Sequence, residues 1–288
     1  MARIKLIVTG DMEKLALHES LRRVFPSQRG DDKVVWDKPR KLNGTTSHKL
    51  RLDGSPSQPM LDLAQAMLSE AGIGKEGDPA DLVVVVDDLE LGNLGQEQVV
   101  VQHFRAAVNA RINSFSPTAQ QRYRNLIREK CSFHLMSPMV ESYLFGDAKA
   151  LGTAGVPSGQ VPMLIYPDVE QFETNDPIWL PTCNRENAAR QQVAPWWKHE
   201  RHPKYYLEHL AERGNVFYEE TDHGKRALQG LRWSQVPKSS LDTPLIRALF
   251  EDLSDWFGVL SPLGQGSYHP VLYPLKSVNR ASLLLRNL

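Results

Sequence analysis

Four consecutive valines, Val83 to Val86, restrict this 288-residue chain more than any other stretch; Leu82 precedes them, and Asp87, Asp88 and Glu90 follow. An unbroken run of β-branched side chains makes a strand that is apolar on both faces. Such strands lie inside parallel sheets covered on both sides. The three carboxylates stand at the strand's C-terminal end, where open α/β sheets receive their ligands. Negative charges packed together there raise one another's pKa unless a cation sits among them.

The flanking sequence supplies the rest of such a sheet. Residues 3–9, with Ile4, Leu6, Ile7 and Val8, and residues 131–136 read as two further strands. Gly10 turns the first strand into a helix with an apolar stripe at Leu15, Leu17, Leu21 and Val24, and Asp11 reads as its cap. Helices are predicted over 60–71, 96–112, 117–130, 203–213, 222–230 and 241–257, with one more starting at Pro138. Short strands are expected near 34–36 and 47–52. The fold class that follows is α/β, a mostly parallel sheet covered by helices on both faces. One domain is expected over 1–288, with a core at about 1–150, an irregular insertion at about 152–200 and a C-terminal helical portion at about 201–288.

Charge and cysteine content narrow the function classes. Lys plus Arg and Asp plus Glu each number 34, so the net charge is zero and any nucleic-acid contact must be a local patch. Basic runs occur at 38–41, at Arg122, Arg124, Arg128 and Lys130, and from Lys198 to Lys204 beside Trp196 and Trp197. The two cysteines, Cys131 and Cys183, offer neither a disulfide framework nor a thiolate zinc site, which fits a cytoplasmic location. No apolar run has the length of a signal peptide core or a membrane span, so no membrane partner is expected.

Carboxylates recur in matching positions after three strands. Asp11 and Glu13 follow the first, Asp87, Asp88 and Glu90 the valine strand, and Glu141 the third. If the strands are parallel neighbours, all three sets meet on one edge of the sheet. Glu13, Asp87, Asp88, Glu90 and Glu141 then form a candidate metal set. Hard oxygen donors without histidine or thiolate suit Mg²⁺ or Mn²⁺. Each carboxylate also has a plain alternative as a helix cap, a dipole partner or an ion-pair member. The histidines add little. His199 and His202 have no third ligand, His223 sits beside Gly224 and Lys225, and His134 falls within a buried strand.

The stretches Leu6-Ile7-Val8-Thr9-Gly10-Asp11-Met12-Glu13, Val83-Val84-Val85-Val86-Asp87-Asp88-Leu89-Glu90 and Met139-Val140-Glu141-Ser142-Tyr143-Leu144-Phe145-Gly146-Asp147 together resemble the Toprim fold. That fold is shared by topoisomerases, primases and OLD-type nucleases. The residues His202 to Leu207 and Glu220 to Leu228 extend the resemblance toward stand-alone bacterial Toprim-like proteins encoded beside ABC-type or AAA ATPases in anti-phage loci.

The resemblance implies phosphodiester hydrolysis of DNA or RNA with Mg²⁺ or Mn²⁺, as part of a defence system with an ATPase partner. It implies catalytic roles for Glu13, Asp88 and Glu141, and a basic group, Lys225 or Lys204, beside the phosphate. One departure stands out: Thr9 occupies the position of the family's first glutamate. It leaves open a catalytically degenerate scaffold that serves a partner ATPase, and a small-molecule phosphatase with the same carboxylates is a third possibility.

Overall fold

In a computed structural model, residues 1–74, 78–182, 199–267, 269, 272–274 and 277–288 are described. Trp196, Trp197, Lys198 and Cys183 lie outside them, as does much of the irregular segment's second half. The valine run forms the strand β5, Leu82–Asp88, within a sheet whose other strands are β1 (Ala2–Val8), β2 (Gln28–Arg29), β3 (Asp32–Trp36), β4 (Arg40–Lys41) and β6 (Cys131–Met136). The order is β2-β3-β1-β5-β6, with β4 also paired to β1. Every pairing is parallel except the β2–β3 hairpin. The chain is therefore α/β, with a mostly parallel mixed sheet flanked by helices.

The period of two along β5 divides the valines between two cores. Val84 and Val86 pack on one face with Ile4, Leu6 and Val8 of β1. That face is covered by α1 (His18–Arg22), α5 (Glu141–Leu144), α6 (Ala148–Thr153), α7 (Pro203–Glu212), α8 (Lys225–Gly230) and α9 (Pro244–Phe257). Val83 and Val85 face the other way, onto α2 (Gln58–Glu70) and α3 (Glu97–Asn113). The helix α4, Pro117–Lys130, buries Ile127 in that core, with Tyr123 and Leu126 partly buried against it.

Sheet edges need cover, because unpaired strand backbone invites pairing with another chain. Along β6 the cover comes from the C-terminal tail. The Asn287 side chain accepts from Phe133 N–H at 3.2 Å and donates to the Phe133 carbonyl at 2.7 Å, and Arg286 N–H donates to the Cys131 carbonyl at 2.8 Å. Leu284, Leu285 and Leu288 are buried beneath it. No helix among the described residues is long and apolar enough to cross a membrane.

Two local expectations fail. Residues 47–52 form no strand; the Asn93 side chain holds that loop instead, donating to the Thr46 and His48 carbonyls and accepting from Leu50 N–H. Asp11 does not cap the first helix, because its carboxylate takes an ion pair from Lys41.

The connections set the position of the site. From β1 the chain runs to β3 on one side and later to β5 on the other, so direction reverses between β1 and β5. Side chains that follow these two strands flank the crevice created at such a switch point.

Candidate functional site

Strand periodicity explains why two adjacent aspartates serve different places. Asp87 continues the face of Val83 and Val85, and Asp88 the face of Val84 and Val86. Thr9, one residue past β1, lies on the Asp87 face. Its hydroxyl donates to Asp87 Oδ1 at 2.6 Å, and the Thr45 hydroxyl donates to Oδ2. Both Asp87 oxygens are thus engaged in a buried cluster of hydroxyls. Burial pushes the Asp87 carboxyl up to about 6, with the two threonines holding it down.

On the opposite face a cavity of about 510 Å³ opens at the carboxyl ends of β1, β5 and β6. Glu13, Asp88, Glu90 and Glu141 line it; Asp87 and Lys225 do not. Three separate turns deliver these four groups. After β6, Val140 N–H donates to Asp88 Oδ1 at 3.1 Å. Glu90 N–H donates to the Pro138 carbonyl at 2.8 Å, joining the segments that follow β5 and β6. Glu90 is held at φ 61°, ψ 156°, a region that side-chain-bearing residues rarely occupy and that costs on the order of 1–3 kcal/mol. The backbone is strained where it directs this carboxylate into the cavity.

Glu13 starts a π-helical turn, Glu13–Leu17, that leads into α1. Its carboxylate folds back over Gly10, where a Cβ would lie 2.2 Å from Glu13 Oε2. Gly10 is therefore the residue that admits the Glu13 carboxylate. Glu13 is 1% exposed, and its Oε2 has no hydrogen-bond partner. A buried carboxylate oxygen without a donor is costly, and such atoms mark strain, catalysis or a missing ligand.

The electrostatics follow from this crowding. Burial raises the Glu13 carboxyl to about 8, opposed by its own backbone N–H and reinforced by Glu141 and Glu220. Asp88 lies well above its ordinary value through burial and then Glu13, Glu90 and Glu141. Burial brings Glu90 to about 7, with Asp87 adding to it and Lys204 opposing. Glu141 also reaches about 7, through burial and Glu220 against the pull of Lys204. Burial works against the Lys204 charge, but Glu141 and Glu220 outweigh it and raise the ammonium above its usual value.

The cavity also gathers residues from stretches far apart in the chain. Lys41 comes from β4, while Lys204, Tyr205 and Glu208 come from α7. Glu220 opens a second π-helical turn, Glu220–Gly224. It accepts from Met12 N–H at 3.1 Å and from Lys204 Nζ at 2.8 Å. Glu220 lies more than two hundred positions from Met12 in sequence, and no local spacing links them. His202 also lines the cavity, with its Nδ1 accepting from Tyr205 N–H at 3.4 Å at the start of α7. His223 Nδ1 accepts from Glu219 N–H, and the fully buried His134 meets Asp252 at 3.2 Å.

Glu13, Asp88, Glu90 and Glu141 supply hard oxygen donors, the type a divalent cation prefers, and one of those oxygens is unsatisfied. Among the described residues, no three His, Cys, Asp or Glu side chains are already gathered closely enough to hold one ion. No family model matches the chain, and neither a curated protein nor a solved structure does.

Proposed function

We propose that the chain is a Toprim-like, Mg²⁺- or Mn²⁺-dependent nuclease that hydrolyses phosphodiester bonds in the cavity lined by Glu13, Asp88, Glu90 and Glu141. The observation that carries this reading is the buried, unpartnered Oε2 of Glu13 in a cavity that Asp88, Glu90 and Glu141 also line. Glu13, Asp88 and Glu141 would hold the cation, with Glu90 beside them. When bound, the ion would supply Lewis-acid stabilisation of a phosphoryl oxygen and a more acidic water.

The chain's own groups account for the rest. Gly10 admits the Glu13 carboxylate, and Val140 N–H holds Asp88 Oδ1. Lys204, kept charged by Glu141 and Glu220, contributes a positive group on the same wall. Lys225 lies outside the cavity lining, so Lys204 is the better-placed base for a phosphate. Asp87, tied to Thr9 and Thr45, serves as a buried support for the turns after β1 and β5. The ATPase partner and the defence role rest on the sequence resemblance, and the cytoplasmic location on the cysteine content.

The test is incubation of the pure chain with plasmid DNA and with RNA in Mg²⁺ or Mn²⁺. Cleavage is expected, abolished by Asp88→Ala and kept by Asp53→Ala at an exposed position away from the cavity. Absence of cleavage of either polymer, together with no uptake of either ion by titration, would refute the reading. A degenerate scaffold is the second reading, favoured by Thr9, which places a hydroxyl rather than a carboxylate against Asp87. Ion uptake without cleavage, with an intact ATPase complex, is its expected signature.

A further inference from the structure

We propose that the Lys204 ammonium and the Met12 N–H form a subsite for a phosphoryl group, and that the Glu220 carboxylate fills it in the resting protein as an internal stand-in. The inference rests on the reading that a phosphate-bearing substrate enters this cavity, and it adds how that substrate is admitted.

The geometry is that of a bound anion. One Glu220 oxygen takes the Met12 N–H at 3.1 Å and the other takes Lys204 Nζ at 2.8 Å. Two donors on the two oxygens of one planar anion form an arrangement that phosphate oxygens can also satisfy. The surroundings disfavour a carboxylate, and a phosphate as well unless a cation accompanies it. Glu13, Glu141 and Glu208 line the same cavity, so these two donors hold Glu220 against like charges. Lys41, the cavity's other ammonium, is engaged by Asp11.

Two further observations set the subsite apart from a routine ion pair. First, the residue after Met12 is Glu13, whose buried Oε2 lacks a partner and borders the same space. The donors for an anion thus adjoin the unsatisfied oxygen expected to face a cation, as a metal-bound phosphoryl group requires. Second, Glu13 and Glu220 each begin a π-helical turn, a rare and costly form that recurs at functional sites. The turns are fitted together: a Cβ on Gly224 would lie 2.8 Å from Met12 Sδ. Glu220 keeps 26% of its side chain exposed, so its carboxylate has a route out to solvent.

The test is isothermal titration of inorganic phosphate into the full chain in Mg²⁺, a readout independent of hydrolysis. Glu220→Gln keeps an acceptor for Met12 N–H and gives up the charge that competes for Lys204. It is expected to bind phosphate about 5- to 30-fold more tightly than the wild type. Adding Lys204→Met to that variant is expected to remove the gain. Equal or weaker phosphate binding by Glu220→Gln overturns the proposal, as does a double variant that binds as tightly as the single one.

Should the variants not fold, the wild-type chain gives its own readout. Its Met12 amide resonance is expected to shift on phosphate addition, and a resonance unmoved at saturating phosphate overturns the subsite. Absent hydrolysis with phosphate binding as described retires the nuclease reading and keeps the subsite. Hydrolysis with unchanged phosphate affinity does the reverse.

Discussion

Replacing Glu13 by Gln is expected to stabilise the ion-free protein while weakening ion binding. Glu13 is 1% exposed, and its carboxyl stands at about 8 against an ordinary 4.5. The folded state therefore holds this proton more tightly than the unfolded state. Stability from this group is fully present below pH 4.5 and is lost as pH rises through 8. At about 1.4 kcal/mol per pH unit, ionising Glu13 costs the fold roughly 3–4 kcal/mol between pH 5 and pH 8. Gln keeps the shape and cannot ionise, so the variant escapes most of that loss.

The assay is urea denaturation of both proteins at pH 5 and at pH 8, in EDTA and then in Mg²⁺. In EDTA the Gln variant should gain on the wild type by about 2–4 kcal/mol on going from pH 5 to pH 8. In Mg²⁺ the order should narrow or invert, because an ion at a hundred times its dissociation constant adds about 2.7 kcal/mol to the protein that binds it. A wild-type stability that falls no faster than the variant's between these pH values would refute the reasoning. So would equal stabilisation of both by Mg²⁺.

Three other substitutions, at two positions, separate the parts of the site. Gly10→Ala places a methyl group where the Glu13 carboxylate lies, 2.2 Å from Oε2, but the obstructed atoms end a flexible side chain. It should cost under about 1 kcal/mol of stability, yet lower Mg²⁺ affinity at least about tenfold by calorimetry; unchanged affinity would show that Glu13 is not a ligand. Glu90→Gly and Glu90→Ala both remove a carboxyl group, but only Gly relieves the backbone at φ 61°. Gly should be the more stable variant by about 1 kcal/mol in thermal or urea unfolding, and parity would remove the case for strain.

Much of the fold was legible because its signals are local. Leu82 to Asp88 declared a strand buried on both faces, and β6 and α4 have the bounds that their apolar patterns predicted. The periodic helices at 60–71, 96–112 and 241–257 appear within a few residues of their expected ends. Local signals failed where a distant partner decided the outcome. The loop at 47–52 follows the Asn93 side chain, and Asp11 follows Lys41. The split between Asp87 and Asp88 was available in principle, since adjacent strand residues must face opposite ways.

Consecutive residues were enough to specify a mostly parallel sheet with carboxylates following its strands, because side-chain alternation and strand burial are local properties. Long-range packing, in contrast, selects which carboxylates share a cavity. It put Glu13, Asp88, Glu90 and Glu141 together, enclosed Asp87 with Thr9 and Thr45, and set Lys204 and Glu220 opposite Met12. Those choices depend on the packing of π-helical turns and loops far apart in the chain. Burial and mutual repulsion, which raise the pKa values at the site, exist only once that packing is complete.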